Sequence, residues 1–229
     1  VSTTTWPVLV HFENPATWKK IVPQKTEGEF PGADLKQVYA CVVGDFDGDN
    51  MVDAVQPFRT GSLFYKGTRD GRLAPPTKQT GLFGGFGQMQ PNVCDMDGDG
   101  MLDILLAGKA GLALWRNTGE GRFVSILQTG EPDRFVRTDA SGGAIGDVNN
   151  DGRQDFAMFY HRGGAQVYFS RGFATFGYGR SLDMAGDQML PQSTQGQQAG
   201  ALHDWNQDGA QDLMMVLNDG SVCVAWQAT

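Results

Sequence analysis

The sequence has few basic side chains and no long apolar segment, and each shortage excludes a class of protein. Its 229 residues contain 18 Lys and Arg against 26 Asp and Glu, a formal net charge of −8. It therefore lacks the basic surplus of a nucleic-acid-binding domain. No apolar run approaches the roughly 18 residues of a membrane-spanning helix, and no sustained heptad pattern predicts a coiled coil. We therefore expect no nucleic-acid partner and no membrane insertion.

Cysteine is also scarce. Cys41, Cys94 and Cys223 are too few and too widely spaced for a disulfide framework, and no two of them form a CxxC pair. Because their number is odd, at most one disulfide bond is possible and at least one thiol stays free. The chain begins at Val1 without a charged segment followed by an apolar one. A mature chain after signal removal, a cytosolic protein and an excised fragment all remain open.

Aspartate, in contrast, recurs in four copies of one nine-residue pattern. We name these copies loop one (residues 45–53), loop two (95–103), loop three (147–155) and loop four (204–212). Their first aspartates are separated by 50, 52 and 57 residues, and the repeats that contain them start near residues 37, 88, 140 and 197. A glycine follows each last aspartate by eight residues, at Gly61, Gly111, Gly163 and Gly220. Two landmarks at a constant offset indicate a true internal repeat.

The residues between these landmarks are typical of β-strands. A short apolar run follows each loop, and the glycine then separates it from a second run with aromatic or β-branched residues, which predicts a hairpin. Each period contains about four such runs, and no stretch of ten residues has a convincing helical period. The prediction is an all-β fold, a small β-propeller of four to five four-stranded blades. Small residues before each loop suit the innermost strand. A β-sandwich is the alternative.

The spacing inside each loop follows the coordination chemistry of Ca²⁺. This ion takes six to eight oxygen ligands, which a tight loop supplies from the side chains at positions 1, 3 and 5 and the backbone carbonyl at position 7. Position 9 is an aspartate that would close the cage, and position 6 requires a positive φ, which Gly and Asn tolerate. The predicted ligands are Asp45, Asp47, Asp49, Met51 and Asp53; Asp95, Asp97, Asp99, Met101 and Asp103; Asp147, Asn149, Asp151, Arg153 and Asp155; and Asp204, Asn206, Asp208, Ala210 and Asp212.

Other cation sites fit less well. An EF-hand needs Glu at position 12 and flanking helices, but position 12 is Gln56, Leu106, Met158 or Met215 and the flanks are predicted strands. Mg²⁺ retains more of its own water than such a cage allows. We expect up to four Ca²⁺ ions and no other cofactor. Loops one and two have four carboxylates each, so we expect them to fill before loops three and four.

The four loops and their flanking runs resemble the FG-GAP or VCBS repeats of integrin-α-type β-propellers, and residues 115–123, WRNTGEGRF, resemble a strand–turn–strand segment of VCBS repeats. The resemblance covers nearly the whole chain. It implies that each loop joins the first and second strands of a blade and binds Ca²⁺.

Familiar members of that family have seven blades, whereas residues 1–229 suffice for a single domain of four or five. Residues 8–14 align with residues 111–117, so strands within residues 8–22 are predicted to complete the last blade. A piece of a larger propeller, or two chains that complete one ring, are the alternatives.

No catalytic constellation accompanies the loops. The sequence has no HExxH, GxSxG or P-loop motif, and its three histidines do not cluster. We expect a non-enzymatic interaction module, secreted, periplasmic or on the cell surface, that recognises a protein or glycan in adhesion or ligand binding. The alternatives are a glycan-binding lectin, or an accessory propeller domain or subunit of a larger secreted enzyme or assembly.

Aromatic side chains are the candidate ligand contacts, although most are expected to pack between blades. The candidates are Trp6, Trp18, Phe86, Trp115, Tyr160, Tyr168, Phe173, Phe176, Tyr178, Trp205 and Trp226. Residues 160–162, Tyr-His-Arg, are predicted to form an exposed patch at a hairpin turn.

Overall fold

All regular structure in the described part of the chain is β-strand. The computed structural model describes residues 41–58, 60–84, 89–108, 111–129, 140–160, 164–173, 175–182, 200–217 and 219–227. Residues 8–22, which are predicted to complete the last blade, lie outside these ranges. No helix within the described ranges is long and apolar enough to cross a membrane.

The first two sheets are antiparallel four-stranded meanders, as the repeat predicts. Sheet one contains β1 (Val42–Gly44), β2 (Asp53–Phe58), β3 (Thr60–Tyr65) and β4 (Thr77–Gly84) in that spatial order. Sheet two contains β5 (Met89–Cys94), β6 (Asp103–Gly108), β7 (Gly111–Asn117) and β8 (Phe123–Thr129) in the same order.

The third repeat has the same meander with an inserted hairpin. Sheet three begins with β9 (Ala140–Gly146), β10 (Asp155–Tyr160) and β11 (Gly164–Tyr168). A separate hairpin of β12 (Ser170–Gly172) and β13 (Thr175–Phe176) follows, and β14 (Arg180–Ser181) then returns to pair with β11. Sheet four contains β15 (Gly200–His203), β16 (Asp212–Val216) and β17 (Val222–Ala225). Each acidic loop joins the first and second strands of its sheet.

Successive sheets pack through shared apolar clusters. Phe46 and Val55 of the first repeat are buried with Ile104 and Trp115 of the second. Sheet two shares a second cluster with sheet three, and sheet three shares a third with Leu213 of sheet four. The described sheets thus stack in chain order, but they do not close into a ring.

The first strands of successive sheets lie side by side, and glycines in β9 and β15 allow close contacts. β1 contacts β5, β5 contacts β9, and β9 contacts β15. A Cβ added to Gly143 of β9 would lie 2.9 Å from the Ala107 Cβ of sheet two. One added to Gly200 of β15 would lie 2.6 Å from the Phe159 ring of sheet three. The glycines of β9 and β15 therefore allow the close approach of sheets two, three and four.

Position 2 of loops one, two and three contributes to the contact with the following sheet. Phe46 packs edge-on against Phe123 with ring centroids 5.5 Å apart, and Met96 is buried in the cluster that includes Phe156. Trp205 holds the same position in loop four but is 46% exposed. No sheet in the described part of the chain follows sheet four.

Asn117 connects the first two repeats by hydrogen bonds. Its fully buried amide donates to the carbonyl of Phe46 in loop one (2.8 Å) and to that of Leu102 in loop two (3.1 Å). Both carbonyls thereby gain a partner inside the interface between sheets one and two.

Candidate metal centres

The aspartate at position 1 shapes each loop by accepting backbone hydrogen bonds. Asp45 accepts from the N–H groups of Gly48 (2.8 Å), Asp49 (3.1 Å) and Asn50 (2.8 Å). Loop two repeats all three bonds at Asp95. Asp147 and Asp204 accept from positions 5 and 6 of their loops. Because the chain is wrapped around this first carboxylate, positions 1, 3 and 5 converge.

The turn at position 6 has the predicted left-handed conformation. Its φ is 65° at Asn50, 86° at Gly100, 82° at Gly152 and 90° at Gly209. At position 5 the aspartate then accepts the N–H of position 7, as in the 2.9 Å bond from Met51 to Asp49. The same bond occurs in the other three loops.

Two aspartate triads could hold a metal ion. In loop one, Asp45, Asp47 and Asp53 each offer an oxygen within 4.8 Å of the others, and in loop two Asp95, Asp97 and Asp99 do the same. Two oxygens that share one Ca²⁺ at 2.3–2.6 Å are at most about 5 Å apart, so both triads fit this ion. The Asp47 side chain is 8% exposed, and its Oδ1 is buried without a hydrogen-bond partner. Such an orphaned oxygen is suited to a cation.

Loops three and four have an asparagine at position 3, and its amide bonds to position 5. Asn149 Nδ2 donates to Asp151 Oδ2 at 3.0 Å, and Asn206 Nδ2 donates to Asp208 Oδ2 at 2.8 Å. Their side-chain oxygens accept the N–H of the same aspartates. These loops keep the fold of the first two with one carboxylate fewer.

The aspartate at position 9 has a structural role that the sequence did not predict. All four of these side chains are fully buried. Asp103 accepts the N–H of Met96 within the loop (2.9 Å) and that of Asn117 at the end of β7 (2.8 Å). Asp53, Asp155 and Asp212 make the equivalent pair of bonds. This carboxylate joins the loop to the third strand, and its binding to the ion stays a prediction.

Burial of these carboxylates affects their protonation. Desolvation raises the pKa of Asp103 to about 6, against the opposing effect of its two backbone hydrogen bonds. Burial also raises the pKa of Asp53 and of Asp155. In the same loop, hydrogen bonds from Met101 and Arg116 lower the pKa of Asp99, so Asp103 is less acidic than Asp99.

Basic side chains contact the carboxylates of three loops, and the sequence did not predict these contacts either. The Lys66 ammonium pairs with Asp47 and, at 2.9 Å, with Asp49. Arg116 pairs with Asp97 at 2.5 Å and with Asp99 at 2.9 Å. Arg153 pairs with Asp151 of its own loop at 2.6 Å. Hydrogen bonds to Asp47 and Asp49 raise the pKa of Lys66, so its charge persists at physiological pH.

The aromatic candidates divide into buried and exposed groups. Trp115, Tyr168 and Phe176 are buried. The exposed patch predicted at residues 160–162 is wrong for Tyr160, which is fully buried with its hydroxyl 3.2 Å from that of Tyr168. The exposed members are Phe173 (92%), Tyr178 (84%), Trp226 (59%) and Trp205 (46%). Trp6, Trp18, Phe86, His161 and Arg162 lie outside the described residues.

The first two exposed aromatics belong to the inserted segment of the third repeat. Phe173 directly follows β12 and has a positive φ of 50°, and Tyr178 lies between β13 and β14. Neither is held in the core between sheets. They are the best-exposed aromatic rings that the described ranges offer to a ligand.

Comparisons with known proteins agree with the all-β repeat architecture. Residues 95–158, from loop two to the second strand of sheet three, match a family model described as an FG-GAP-like repeat. No curated protein sequence matches the chain.

Two solved structures are similar in fold. One is a lectin of Agrocybe aegerita, a β-propeller solved for its specific recognition of non-reducing terminal N-acetylglucosamine. It matches with a TM-score of 0.51 and 22% identity over 80% of this chain and 50% of the lectin. The other is the Photorhabdus luminescens Tc holotoxin pore, with a TM-score of 0.56 and 17% identity over 80% of this chain and 9% of that one.

These likenesses concern the fold, since both identities are low and the chain spans about half the length of the lectin. The family match lies in the segment that contains two of the four acidic loops. The chain therefore carries an FG-GAP-like repeat, which confirms the resemblance that the acidic loops and residues 115–123 indicate.

Proposed function

We propose that the chain is a calcium-binding β-propeller that acts as a non-enzymatic interaction module. The observation that carries the proposal is the fourfold recurrence of one loop geometry, in which backbone hydrogen bonds to position 1 gather side-chain oxygens at positions 1, 3 and 5. An all-oxygen set of this kind suits Ca²⁺. The ion would neutralise carboxylates that otherwise repel one another beside a packed sheet.

The propeller is the architecture that best accommodates the stacking of sheets. Sheets one to four pack in chain order with their first strands adjacent. Trp205 occupies the position from which Phe46 and Met96 reach the following sheet. We propose that residues 8–22 supply strands to the last blade. Closure of a ring of four to five blades would then pack another blade against Trp205.

The chemistry of the loops supports the proposal of an extracellular, periplasmic or cell-surface location. Millimolar Ca²⁺ outside the cytosol would fill even weak sites, and extracellular modules are often tuned to that range. In this proposal the ions stabilise the domain, and a protein or glycan ligand binds elsewhere on its surface. Membership of a larger secreted assembly is compatible with the same role.

Calcium titration by calorimetry tests the proposal. The wild-type chain should bind up to four Ca²⁺ ions, and Asp95→Ala should abolish one of them because it removes the carboxylate around which loop two is wrapped. Asp70→Ala is the matched control, since Asp70 is an exposed acid outside the four loops. A wild-type chain that takes up no Ca²⁺ at millimolar concentration would show the proposal to be wrong.

A lectin is the second candidate, favoured by the exposure of Phe173 and Tyr178 in the inserted segment. Exposed rings can stack on the apolar face of a sugar. If a glycan array detects a ligand, replacement of both rings by Ala should weaken binding roughly tenfold or more. Val124→Ala, at an exposed apolar residue of β8, should not. An array without hits in Ca²⁺, or equal binding by both variants, argues against a lectin site at these residues.

A further inference from the structure

The four repeats differ at one position outside the acidic loops, at the end of the third strand. This residue directly precedes the one whose N–H bonds to the position-9 aspartate. It is Lys66 in the first repeat and Arg116 in the second, whereas the third and fourth repeats have Phe169 and Trp226. Basic residues are therefore present where position 3 is Asp, and aromatic residues where position 3 is Asn.

In every loop a hydrogen-bond donor reaches the same acceptor, the Oδ2 atom at position 5. Lys66 and Arg116 reach Asp49 and Asp99 across 2.9 Å each. In loops three and four, the Asn amide at position 3 reaches that oxygen, at 3.0 and 2.8 Å. In loop three, Arg153 of the loop itself also pairs with it, at 2.6 Å. Strand cation and loop asparagine are thus alternative ways to satisfy one carboxylate when no metal is bound.

Charge follows the same alternation. Loops one and two have four carboxylates and one basic strand residue, and loop four has three carboxylates with an aromatic residue at the strand position. Each of these three combinations has a formal charge of −3, whereas loop three, with three carboxylates and its own Arg153, has −2. The extra carboxylate of the first two loops is therefore matched by the strand cation.

We propose that Lys66 and Arg116 are tethered counter-ions that occupy loops one and two in place of calcium and leave when the ion binds. The proposal rests on the calcium-binding function proposed above. Each cation pairs with the carboxylates at positions 3 and 5, which are predicted ligands. The same oxygens cannot serve a basic group and the metal equally well, so the cation lowers calcium affinity while it holds the metal-free loop in shape.

In loop one, a carboxylate oxygen that Lys66 does not contact is available to Ca²⁺. Lys66 pairs with Oδ2 of Asp47 while Oδ1 stays buried and without a hydrogen bond. An ammonium on a flexible stem satisfies the site only in part, and Ca²⁺ binds several oxygens at once. Lys66 is half exposed, so it has a path to water when it is displaced.

The test compares two double variants that lose the same charge. One carries Lys66→Met and Arg116→Met, and the control carries Arg72→Met and Arg122→Met, at exposed residues that pair with Asp70 and Glu120 outside the loops. The first variant should bind Ca²⁺ more tightly at two sites, by roughly three- to tenfold. In chelator it should melt below the wild type. The control should change neither quantity beyond the uniform effect of its lost charges.

The converse variant keeps the test decisive if the first one folds poorly. Asn206→Asp with Trp226→Arg gives loop four the pair of residues found in loop two. Compared with Asn206→Asp alone, the added arginine should weaken calcium binding at that loop and raise the melting temperature in chelator. Unchanged affinity and unchanged metal-free stability in both sets would overturn the counter-ion role. A wild-type chain without calcium binding would instead refute the proposed function, and melting in chelator would still report on the cations.

Discussion

Removal of calcium is expected to lower the melting temperature of this protein by at least about 10 °C. A ligand present at 100 times its Kd stabilises the folded state by about 2.7 kcal/mol per site. Two saturated sites would therefore supply about 5 kcal/mol, and in a domain of this size each 1 kcal/mol shifts the melting temperature by about 2–4 °C. The physical reason is that loop one and loop two each bring three carboxylates within 4.8 Å of one another beside a packed sheet.

Thermal unfolding followed by circular dichroism, in millimolar Ca²⁺ and in excess chelator, measures this effect. Addition of Mg²⁺ after chelation is the control, because Mg²⁺ dehydrates reluctantly and needs a stricter octahedron than these loops offer. It should restore less of the stability than Ca²⁺ does. Equal melting temperatures in Ca²⁺ and in chelator would mean that the ions, if bound, do not support the fold.

Features of the site that are local and repeated could be predicted from sequence. The positive φ at Asn50 and Gly100 follows from the turn needed at position 6, and that turn depends only on nearby residues. The strands on either side of each loop followed from short apolar runs in register with the loops. A motif that occurs four times reveals which positions are constrained and which are free.

Features that depend on distant segments could not be predicted. Lys66 lies 13 residues beyond loop one, and only the pairing of β2 with β3 returns it to Asp47 and Asp49. The error at Tyr160 has a similar origin. A residue at a strand end is often exposed, but this ring is buried in the cluster shared with sheet two. The insertion of β12 and β13 also breaks the repeat, so the other copies give no information about it.

The presence of Asp at position 9 of all four loops indicates that the position has a role. The reason for an aspartate there differs from the reason at the other positions of the loop. Positions 1, 3 and 5 are gathered by the loop itself, whereas position 9 belongs to the start of the second strand. Its two oxygens accept one N–H from the loop and one from the end of the third strand. An aspartate is required there even before a metal is considered.

These two hydrogen bonds to position 9 lead to the second large expected effect, which is independent of calcium. In chelator, Asp103→Ala should reduce the free energy of unfolding by about 2–6 kcal/mol. The substitution leaves the N–H groups of Met96 and Asn117 without their acceptor, and each buried unsatisfied donor costs about 1–3 kcal/mol. Urea unfolding in chelator gives the quantity directly, since no metal contributes under those conditions.

Two matched variants separate the contribution of the two hydrogen bonds of Asp103 from that of the metal site. Asp103→Asn has the same shape and keeps one oxygen acceptor. It also removes the buried charge, and burial is what raises the pKa of Asp103 to about 6. It should therefore lose less stability than the alanine variant. Asp99→Ala removes an exposed ligand of the same loop and leaves both bonds of Asp103 intact. It should weaken calcium binding with little loss of stability in chelator. If Asp99→Ala and Asp103→Ala destabilise the metal-free protein equally, the hydrogen bonds of Asp103 do not hold the loop to the third strand. The presence of Asp at position 9 of all four loops would then reflect metal binding alone.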